Sequence, residues 1–447
     1  MVLNKKIAIP TAVLEILEQL NRANHEAYIV GGCVRDFLLG KEPSDWDITT
    51  SAKPQQVKAL FRRTIDTGIA HGTVTIMKGN VGYEVTTYRI DGEYEDARHP
   101  KEVTFTSSLE EDLKRRDFTM NAMAYHPEKG LVDIFGGQED MNRGIIRCVG
   151  NAKERFTEDA LRMMRAIRFA AQMNYEIEEE TFQAIRKMAP SISKVSAERI
   201  QVEMTKTLIS AHPGKFRLFY ETGLTAHFLP EFDLAMETKQ NHPHHCYSVG
   251  EHLLRSVEEI RPDKVLRLSM LLHDIGKPYV ESVDEEGITH FYGHPKVSEE
   301  RAQQILRRLK WDNDTIRKVG TFTRYHDYRM DGDETAMRRA MAKIGEEYFP
   351  DIFEVQKADV MAQSNYKREE KLAAIEKERE LYLLVKEKGQ CVSLKTLAVG
   401  GRDLIAHGVA PGKGLGVILN GMLEDVLEHP EHNTREYLLK VLLGKLA

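Results

Sequence analysis

The pattern of apolar residues changes at about residue 145, and this change limits the folds available to the chain. Before it, short β-branched and aromatic runs such as AYIVGG, GTVTIMKG and VGYEVTTYRI are bounded by Gly, Pro or Ser, as strands of a sheet are. After it, from ERFTEDALRMMRAIRFAAQM onward, apolar residues recur at helical spacing. The sequence therefore predicts an α/β head with a mixed sheet, followed by an extended all-α body.

Length, charge and cysteine content narrow the class of protein. The 447 residues exceed one compact core and fit about three domains at roughly 150 residues each. A net charge of −6 argues against a uniformly basic coat, although a local basic groove is compatible with it. The four cysteines form no CxxC pair, which favours a reduced compartment. No apolar run approaches the roughly 20 residues of a membrane span, so we expect a cytoplasmic protein without membrane contact.

The segment IVGGCVRDFLLGKEPSDWDITT combines features of a phosphate site. Residues i and i+2 of a strand face the same side, so Asp45 and Asp47 can present both carboxylates to one Mg²⁺ ion. Alone, such a pair is more often an acidic turn. Here the flexible Gly31 and Gly32 and the cation Arg35 precede it within 17 residues, which suits a triphosphate. Two metal ions at this place would support nucleotidyl transfer.

The segment TEDALRMMR has a structural and a functional interpretation. It is predicted to begin a helix, with Thr157 as N-cap and a Glu158–Arg162 pair one turn apart. Asp159 and Arg162 would then share a face, one accepting and the other donating hydrogen bonds. Cytosine and adenine both offer an amino donor beside a ring-nitrogen acceptor, and uracil and guanine offer the reverse order. Such a pair would accept C and A, and both interpretations can hold together.

Four stretches together resemble a known family. They are GGCVRDFLLG with DWDITT, RRDFTMNAMAY, LVDIFGGQEDMNRGIIRCVG and RFTEDALRMMRAIRFA. In order and spacing they resemble the class II tRNA nucleotidyltransferases, the CCA-adding enzymes of the polymerase-β-like superfamily, beside the bacterial poly(A) polymerases. The resemblance implies CCA addition to the 3′ end of tRNA from CTP and ATP, with Mg²⁺ as cofactor. It also implies a head (1–145), a neck (146–215), a body (216–365) and a tail (366–447).

The resemblance also implies roles for single residues. Asp45 and Asp47 would be the catalytic metal-binding acids, and nucleotide binding would involve Gly31, Gly32, Arg35, Arg116, Asp117, Asn121, Glu158, Asp159, Arg162, Arg165 and Arg168. Among these, Arg116 would contact triphosphate or base, and Asp117 and Asn121 the sugar. Residues 88–100 resemble the flexible loop of complete CCA-adding enzymes. Poly(A) polymerases and partial CC- or A-adding enzymes stay open as alternatives.

Histidines concentrate between residues 242 and 327 in HPHHCYSVGEHLL, LLHDIGKP, THFYGHPKVS and YHDY. With a later aspartate they resemble the HD phosphohydrolase superfamily, which implies the metal ligands His252, His273, Asp274 and Asp359. His294 and His326 would complete a second metal position, and Lys277 would neutralise a phosphate. Imidazole and carboxylate suit a transition metal such as Mn, Ni, Co or Fe.

Three interpretations of this histidine-rich region stay open. The HD site is a second, phosphoester-hydrolysing activity, including hydrolysis of 2′,3′-cyclic phosphates. It is the main activity beside a degenerate head, or it is a helical scaffold without metal. A protein that only binds RNA would lack the acids of the head, and both are present.

The region 301–330 is the predicted RNA contact. It carries eight Lys or Arg against three Asp, with Trp311, Tyr325 and Tyr328 interleaved. That composition favours contact with RNA phosphates and occasional stacking. A basic helix pair with an aromatic core edge is the alternative. The tail resembles the family's tRNA-binding tail, so we expect the tRNA acceptor and elbow as partners. The oligomeric state is not indicated.

Overall fold

The computed structural model describes residues 9–92, 103–241, 246–330 and 332–446. The chain forms two compact units, residues 1–230 and 231–447. The predicted finer boundaries after residues 145, 215 and 365 remain predictions. Among the described residues, no helix is long and apolar enough to cross a membrane.

A mixed sheet forms the core of the first unit and confirms the predicted α/β head. The strands of the whole chain are β1 (Ala27–Val30), β2 (Ile48–Thr50), β3 (Thr64–Gly68), β4 (Thr73–Lys78), β5 (Val81–Thr87), β6 (Arg89–Asp91), β7 (Val103–Phe105), β8 (Ala124–His126), β9 (Gly130–Val132), β10 (Ile145–Ile146), β11 (Glu176–Ile177), β12 (Ser282–Val283) and β13 (Thr289–His290). Seven of them form one sheet in the order β3-β4-β5-β2-β1-β8-β9. Its pairs are antiparallel except for the parallel pair of β2 with β5.

The two central strands explain the apolar runs seen in the sequence. All four residues of β1 and all three of β2 are buried. A strand covered on both faces reads as a continuous apolar run, as β1 (AYIV) does, whereas β2 (ITT) buries two threonines. The first helix covers part of the sheet through Val13, Ile16, Leu17 and Leu20, the residues that the helical spacing predicts. The carboxyl end of β1 and the amino end of β2 meet at one edge, where the acids and glycines lie.

The helices of the first unit are α1 (Thr11–Arg22), α2 (Gly32–Leu38), α3 (Pro54–Leu60), α4 (Leu109–Lys114), α5 (Gly137–Arg143), α6 (Ala152–Glu158), α7 (Leu161–Met173), α8 (Glu179–Met188), α9 (Ala197–Leu208), α10 (Arg217–Glu221) and α11 (Thr225–Phe228). The predicted helix with Thr157 as its N-cap is wrong. Thr157 lies inside α6, where its hydroxyl donates to the Lys153 carbonyl at 2.8 Å. Asp159 is extended (φ −144°, ψ 103°) and interrupts the helix between α6 and α7.

The rest of the chain is almost entirely helical, as predicted. Its helices are α12 (Pro230–Glu237), α13 (Val249–Glu258), α14 (Lys264–Leu272), α15 (His294–Arg308), α16 (Asn313–Tyr325), α17 (Glu334–Ile344), α18 (Asp351–Ala362), α19 (Arg368–Glu387), α20 (Gly401–Ala406), α21 (Lys413–Glu428), α22 (Arg435–Tyr437) and α23 (Leu443–Leu446), with a π-helical turn at Leu438–Leu442. Only the short hairpin of β12 and β13 interrupts this pattern among the described residues of the second unit. Buried Leu266, Leu268, Leu271 and Leu272 make α14 a central helix of this unit.

Candidate active site and histidine cluster

The two acids lie immediately before β2 rather than within it. The Asp47 carbonyl accepts the Val30 N–H at 3.0 Å, so this segment still extends the pairing of β1 with β2. Both carboxylates are exposed to solvent. A cavity of about 530 Å³ opens beside them and is lined by Ser44, Asp45, Trp46, Asp47, Val81, Gly82, Tyr83 and Glu84. A reaction at these acids therefore has room and access to water.

Glu84 is a third acid at this place, and the sequence analysis missed it. In the parallel pairing, Ile48 lies opposite Val85, so continuing the register by one residue brings Asp47 beside Glu84. Partial removal from water raises the pKa of Asp47, and the charges of Glu84 and Asp45 raise it further. Arg116 opposes this shift. Three carboxylates thus converge, an arrangement that attracts a divalent cation.

The glycine pair lets a guanidinium approach the backbone. Gly31 has φ +83°, a conformation that side chains rarely adopt, and an added Cβ would lie 3.0 Å from Arg116 Nη1. Gly32 begins α2, the helix that carries Arg35. Buried Asp112 holds Arg116 from behind, with 3.5 Å between Oδ2 and Nη2. Arg116, the cation predicted to contact triphosphate or base, therefore lies against Gly31 and acts on the charge of Asp47.

A chain of hydrogen bonds joins the head residues to α7. Arg35 Nη1 donates to Asn121 Oδ1 at 2.7 Å, and Asn121 Nδ2 donates to Asp117 Oδ1 at 3.1 Å. Asp117 Oδ2 then accepts two bonds from Arg165, at 2.9 and 2.6 Å. Burial would raise the pKa of Asp117, but Arg165 and the Asn121 bond hold it well below its usual range. The structure thus brings these four predicted nucleotide-binding residues together.

Arg168 lies deeper in the same region. It is buried and donates to Glu203 at 3.3 Å, and its guanidinium lies 4.1 Å from the centre of the Phe169 ring. Burial lowers the pKa of Arg168 to about 10, although Glu203 raises it. Even so, this guanidinium remains charged at neutral pH.

The predicted Asp159–Arg162 arrangement is only partly correct. The two residues do not share a helix face, because Asp159 lies in the break before α7. Arg162 of α7 donates to Glu158 Oε2 at 2.6 Å, so the predicted pair forms, but across the break after α6 and not within one helix. Asp159 instead pairs with Arg199 of α9, which the sequence analysis did not single out.

The predicted RNA-contact region is less available than its composition indicates. Trp311 is buried with 5% of its surface exposed, so it belongs to the core edge and not to a stacking surface. Several of the cations are paired with acids: Arg308 with Glu231, and Arg317 and Lys318 with Asp314. Tyr325 and Tyr328 contact each other edge to face. The alternative of a basic helix pair with an aromatic core edge describes this part better.

In the second unit, six predicted ligands converge from five helices. His252 lies on α13, His273 and Asp274 follow α14, His294 begins α15, His326 ends α16, and Asp359 lies on α18. His252 Nε2 lies 3.0 Å from His273 Nε2 and 2.9 Å from Asp359 Oδ1. Asp274 Oδ1 lies 3.1 Å from His294 Nε2 and 3.5 Å from His326 Nε2. Residues 242–245 lie outside the described part of the chain.

The orientation of the four imidazoles indicates a cation site. In each, Nδ1 lies near a backbone carbonyl, of Ala362, Met270, Phe291 or Thr323, at 2.8 to 3.4 Å. A carbonyl only accepts, so Nδ1 carries a proton in each ring, and a neutral ring keeps a lone pair on Nε2. These Nε2 atoms face one another and the carboxylates of Asp274 and Asp359. Lone pairs this close need a shared proton or a metal ion, so the donor set fits a metal.

Lys277 does not point into open space as a phosphate contact. It is 4% exposed, and its Nζ donates to Asp274 Oδ2 at 2.7 Å and to Gln240 Oε1 at 2.9 Å. Its charge is the largest influence that holds the pKa of Asp274 well below its usual range, against burial. Asp274 divides the cluster into two halves: its Oδ2 faces His252 and His273, and its Oδ1 faces His294 and His326. Lys277 therefore fixes and ionises the carboxylate that the two halves share.

Comparisons with known proteins agree with the geometry of the head. Residues 27–147 match the poly A polymerase head domain, 174–236 the probable RNA and SrmB-binding site of polymerase A, and 281–442 the putative tRNA nucleotidyltransferase domain 2. A CCA-adding enzyme of Lactobacillus helveticus is 36% identical over 430 residues, covering 96% of both chains. The chain belongs to the CCA-adding enzyme family. The predicted family resemblance is confirmed.

Two further relatives of this CCA-adding family member span nearly its full length. The CCA-adding enzyme of Enterococcus faecalis is 34% identical over 95% of this chain and 93% of its own. The crystal structure of the Bacillus stearothermophilus CCA-adding enzyme in complex with CTP has a TM-score of 0.70, 31% identity and 97% coverage of both chains. The fold class, an α/β head before a helical body, is confirmed.

Proposed function

We propose that this chain adds CCA to the 3′ end of tRNA, using CTP and ATP. The observation that carries the proposal is the convergence of Asp45, Asp47 and Glu84 beside an arginine network, in a chain of the CCA-adding family. Its relatives include a structure in complex with CTP and a Thermotoga maritima enzyme complexed with tRNA. The four free thiols agree with the reduced cytoplasm as the compartment.

The acids and the arginines have different roles in the proposed nucleotidyl transfer. Two Mg²⁺ ions held by Asp45 and Asp47 would polarise the α-phosphate, ease deprotonation of the attacking 3′-hydroxyl and neutralise the departing pyrophosphate. Arg116, lying against Gly31, donates to the triphosphate, and Arg35 holds Asn121 for the ribose. Asp117, kept ionised by Arg165, is an acceptor for a sugar hydroxyl. These groups orient the nucleotide before any bond changes.

Base selection belongs to Asp159 and Arg162 in this proposal. A carboxylate accepts from the amino group that both cytosine and adenine carry, and a guanidinium donates to the adjacent ring nitrogen. Their partners Arg199 and Glu158 hold these groups when no nucleotide is bound.

The experiment uses tRNA transcripts that end before CCA, after C and after CC. Purified protein with Mg²⁺ receives each nucleoside triphosphate singly and CTP with ATP together, and the product ends are sequenced. Addition that stops at CCA is the expected result. A long A tail would identify a poly(A) polymerase, and addition of only C or one A would identify a partial enzyme. No addition to any end would overturn the proposal.

We further propose that the histidine cluster is a second, metal-dependent phosphoester-hydrolysing site. The convergence of four Nε2 atoms on Asp274 and Asp359 supports this function. A transition-metal ion there would activate a water for attack on a phosphate ester. The chain's own part is to hold the tautomers through backbone carbonyls and to ionise Asp274 through Lys277.

The test of this second site begins with the metal content of the purified protein, followed by a hydrolysis screen. Phosphomonoesters and 2′,3′-cyclic phosphates are offered with Mg²⁺, Mn²⁺, Co²⁺ and Ni²⁺ in turn. Retained metal with metal-dependent hydrolysis is expected. Hydrolysis that persists after complete metal removal, or none with any metal, would contradict it.

A further inference from the structure

Asp159 is held by a residue from a different helix. Arg199 Nη2 donates to Asp159 Oδ2 at 2.7 Å, and Arg199 Nη1 donates to Asp159 Oδ1 at 3.2 Å. The Leu161 N–H donates to Asp159 Oδ1 at 3.0 Å. The side chains of Arg199 and Asp159 are 23% and 18% exposed, so the pair is largely shielded from water. A bidentate arginine fixes the plane of a carboxylate as well as its charge.

Counting acceptor positions identifies the oxygen that is left for a ligand. Each carboxylate oxygen offers about two acceptor positions. Oδ1 uses both, for Arg199 Nη1 and the Leu161 N–H. Within the described residues, Oδ2 accepts from Arg199 Nη2 alone. The remaining acceptor position of Asp159 therefore lies on Oδ2.

The support behind Arg199 is rigid. Arg199 lies in the first turn of α9, and Glu203, one turn later, pairs with buried Arg168 of α7 at 3.3 Å. Two ion pairs thus tie α9 to the segment from Asp159 to Arg168. Backbone hydrogen bonds to Arg155 and from Arg162 hold the main chain of Asp159 in the helix break, and the pair with Arg199 fixes its side chain.

We propose that Arg199 is a specificity-determining residue, which positions Asp159 so that Oδ2 accepts the amino group of an incoming cytosine or adenine. This inference rests on the proposed nucleotide selection at Asp159. A fixed acceptor meets an amino hydrogen in C or A and a carbonyl oxygen in U or G, and the second contact is repulsive. A carboxylate that rotates freely can turn away from that oxygen. Loss of Arg199 therefore weakens the rejection of U and G more than it weakens the acceptance of C and A.

The test compares Arg199→Gln and Arg199→Lys with wild type on a tRNA transcript that awaits C. The kcat/KM is measured for CTP, UTP, ATP and GTP separately. We expect the CTP-over-UTP ratio to fall about 10-fold or more in Arg199→Gln. Lysine keeps the charge but not the two-pronged contact, so Arg199→Lys should lose a smaller part of the ratio. The KM for tRNA should stay unchanged in both variants.

A matched control separates positioning from general support. Arg147 pairs with Asp140 and Glu178 in the same unit, and Arg147→Gln removes a comparable pair. It should keep the wild-type CTP-over-UTP ratio. Equal loss of kcat/KM for all four nucleotides in the Arg199 variants, with the ratio retained, would overturn the inference. If Arg199→Gln does not fold, an unchanged ratio in Arg199→Lys overturns it. Failure of wild type to transfer C or A would instead refute the proposed function.

Discussion

The two candidate sites differ in how far their metal-binding residues are exposed to solvent. Asp45 and Asp47 of the head are exposed residues beside an open cavity. In the histidine cluster, His252, His273 and Asp274 are at most 1% exposed. A site that must admit a nucleotide with its own phosphate ligands needs an open position, whereas a buried set of protein ligands can hold a metal by itself. In the proposed functions, therefore, substrate completes the first site and folding completes the second.

The largest effect we expect comes from removing the acids of the head. Asp45→Asn with Asp47→Asn should lower nucleotidyl transfer by roughly 10⁴-fold, because the metal loses both its ligands. Phosphoester hydrolysis and the thermal midpoint should not change, since both side chains are exposed. Single-turnover incorporation of labelled CTP measures the transfer. Asp66→Asn, at another exposed acid, is the control. An equal loss of nucleotidyl transfer in that variant would contradict the assignment of Asp45 and Asp47 as metal ligands.

The reciprocal substitution tests the independence of the second site. Asp274→Asn should lower phosphoester hydrolysis by about 10³-fold and abolish metal retention, because Asp274 faces both halves of the cluster. CTP incorporation should stay at the wild-type level. Metal analysis of the dialysed protein and the two assays give the answer. Asp284→Asn serves as the control, because it removes the charge of the exposed pair with His290 and keeps an oxygen that can accept the N–H groups of Glu286 and Ile288. Retained metal in Asp274→Asn would contradict the cluster.

Acid should weaken the first unit through Asp117. Its pKa is lowered by Arg165, so the stabilisation from this pair is complete above the ordinary value of 3.8 and is lost as the pH falls through the lowered folded value. Asp117→Asn should cost about 3 kcal/mol at pH 7, because it leaves Arg165 uncompensated. Urea unfolding of both proteins between pH 7 and pH 2 should show this gap closing only below about pH 4. A gap that is constant over this range would exclude the linkage.

The smallest effect concerns the acid that the sequence analysis missed. Glu84→Gln should lower transfer about 10-fold, since Asp45 and Asp47 still bind the metal while one converging charge is lost. The pKa of Asp47 should move toward its ordinary value, because Glu84 raises it. A shift of the acidic limb of the transfer rate to lower pH measures this. Glu110→Gln, at an acid on α4, is the control. An unchanged acidic limb of the transfer rate in Glu84→Gln would show that Glu84 does not influence the pKa of Asp47.

The acids, glycines and histidines carry strong short-range signals, and the structure gathers the six predicted ligands of the histidine cluster. Asp45 and Asp47 lie before β2 and not on it as predicted. Their roles stay predictions. Glu84 escaped because parallel pairing joins β2 to β5 across a long stretch of chain. Its one signal was that it is the single charged residue of the predicted strand VGYEVTT.

Two errors have a tertiary cause. The helical period continues through TEDALRMMR, but the pairing of Asp159 with Arg199 of α9 accompanies a break that no local pattern reveals. Trp311 looked available for stacking, yet it packs into the core with Lys264 over its ring. Residues 93–100, most of the segment 88–100 predicted to resemble the flexible loop of complete enzymes, lie outside the described part, so that prediction stays untested.

The shared carboxylate of the histidine cluster has a thermodynamic consequence. Asp274 faces His252 and His273 with one oxygen and His294 and His326 with the other. In the proposed metal site, a cation on one side would withdraw charge from the oxygen on the other, so the two halves would not be occupied independently. Their coupling would be reciprocal, and whichever half filled first would set the affinity of its neighbour by the same factor. A single carboxylate would thereby join the two halves into one coupled system.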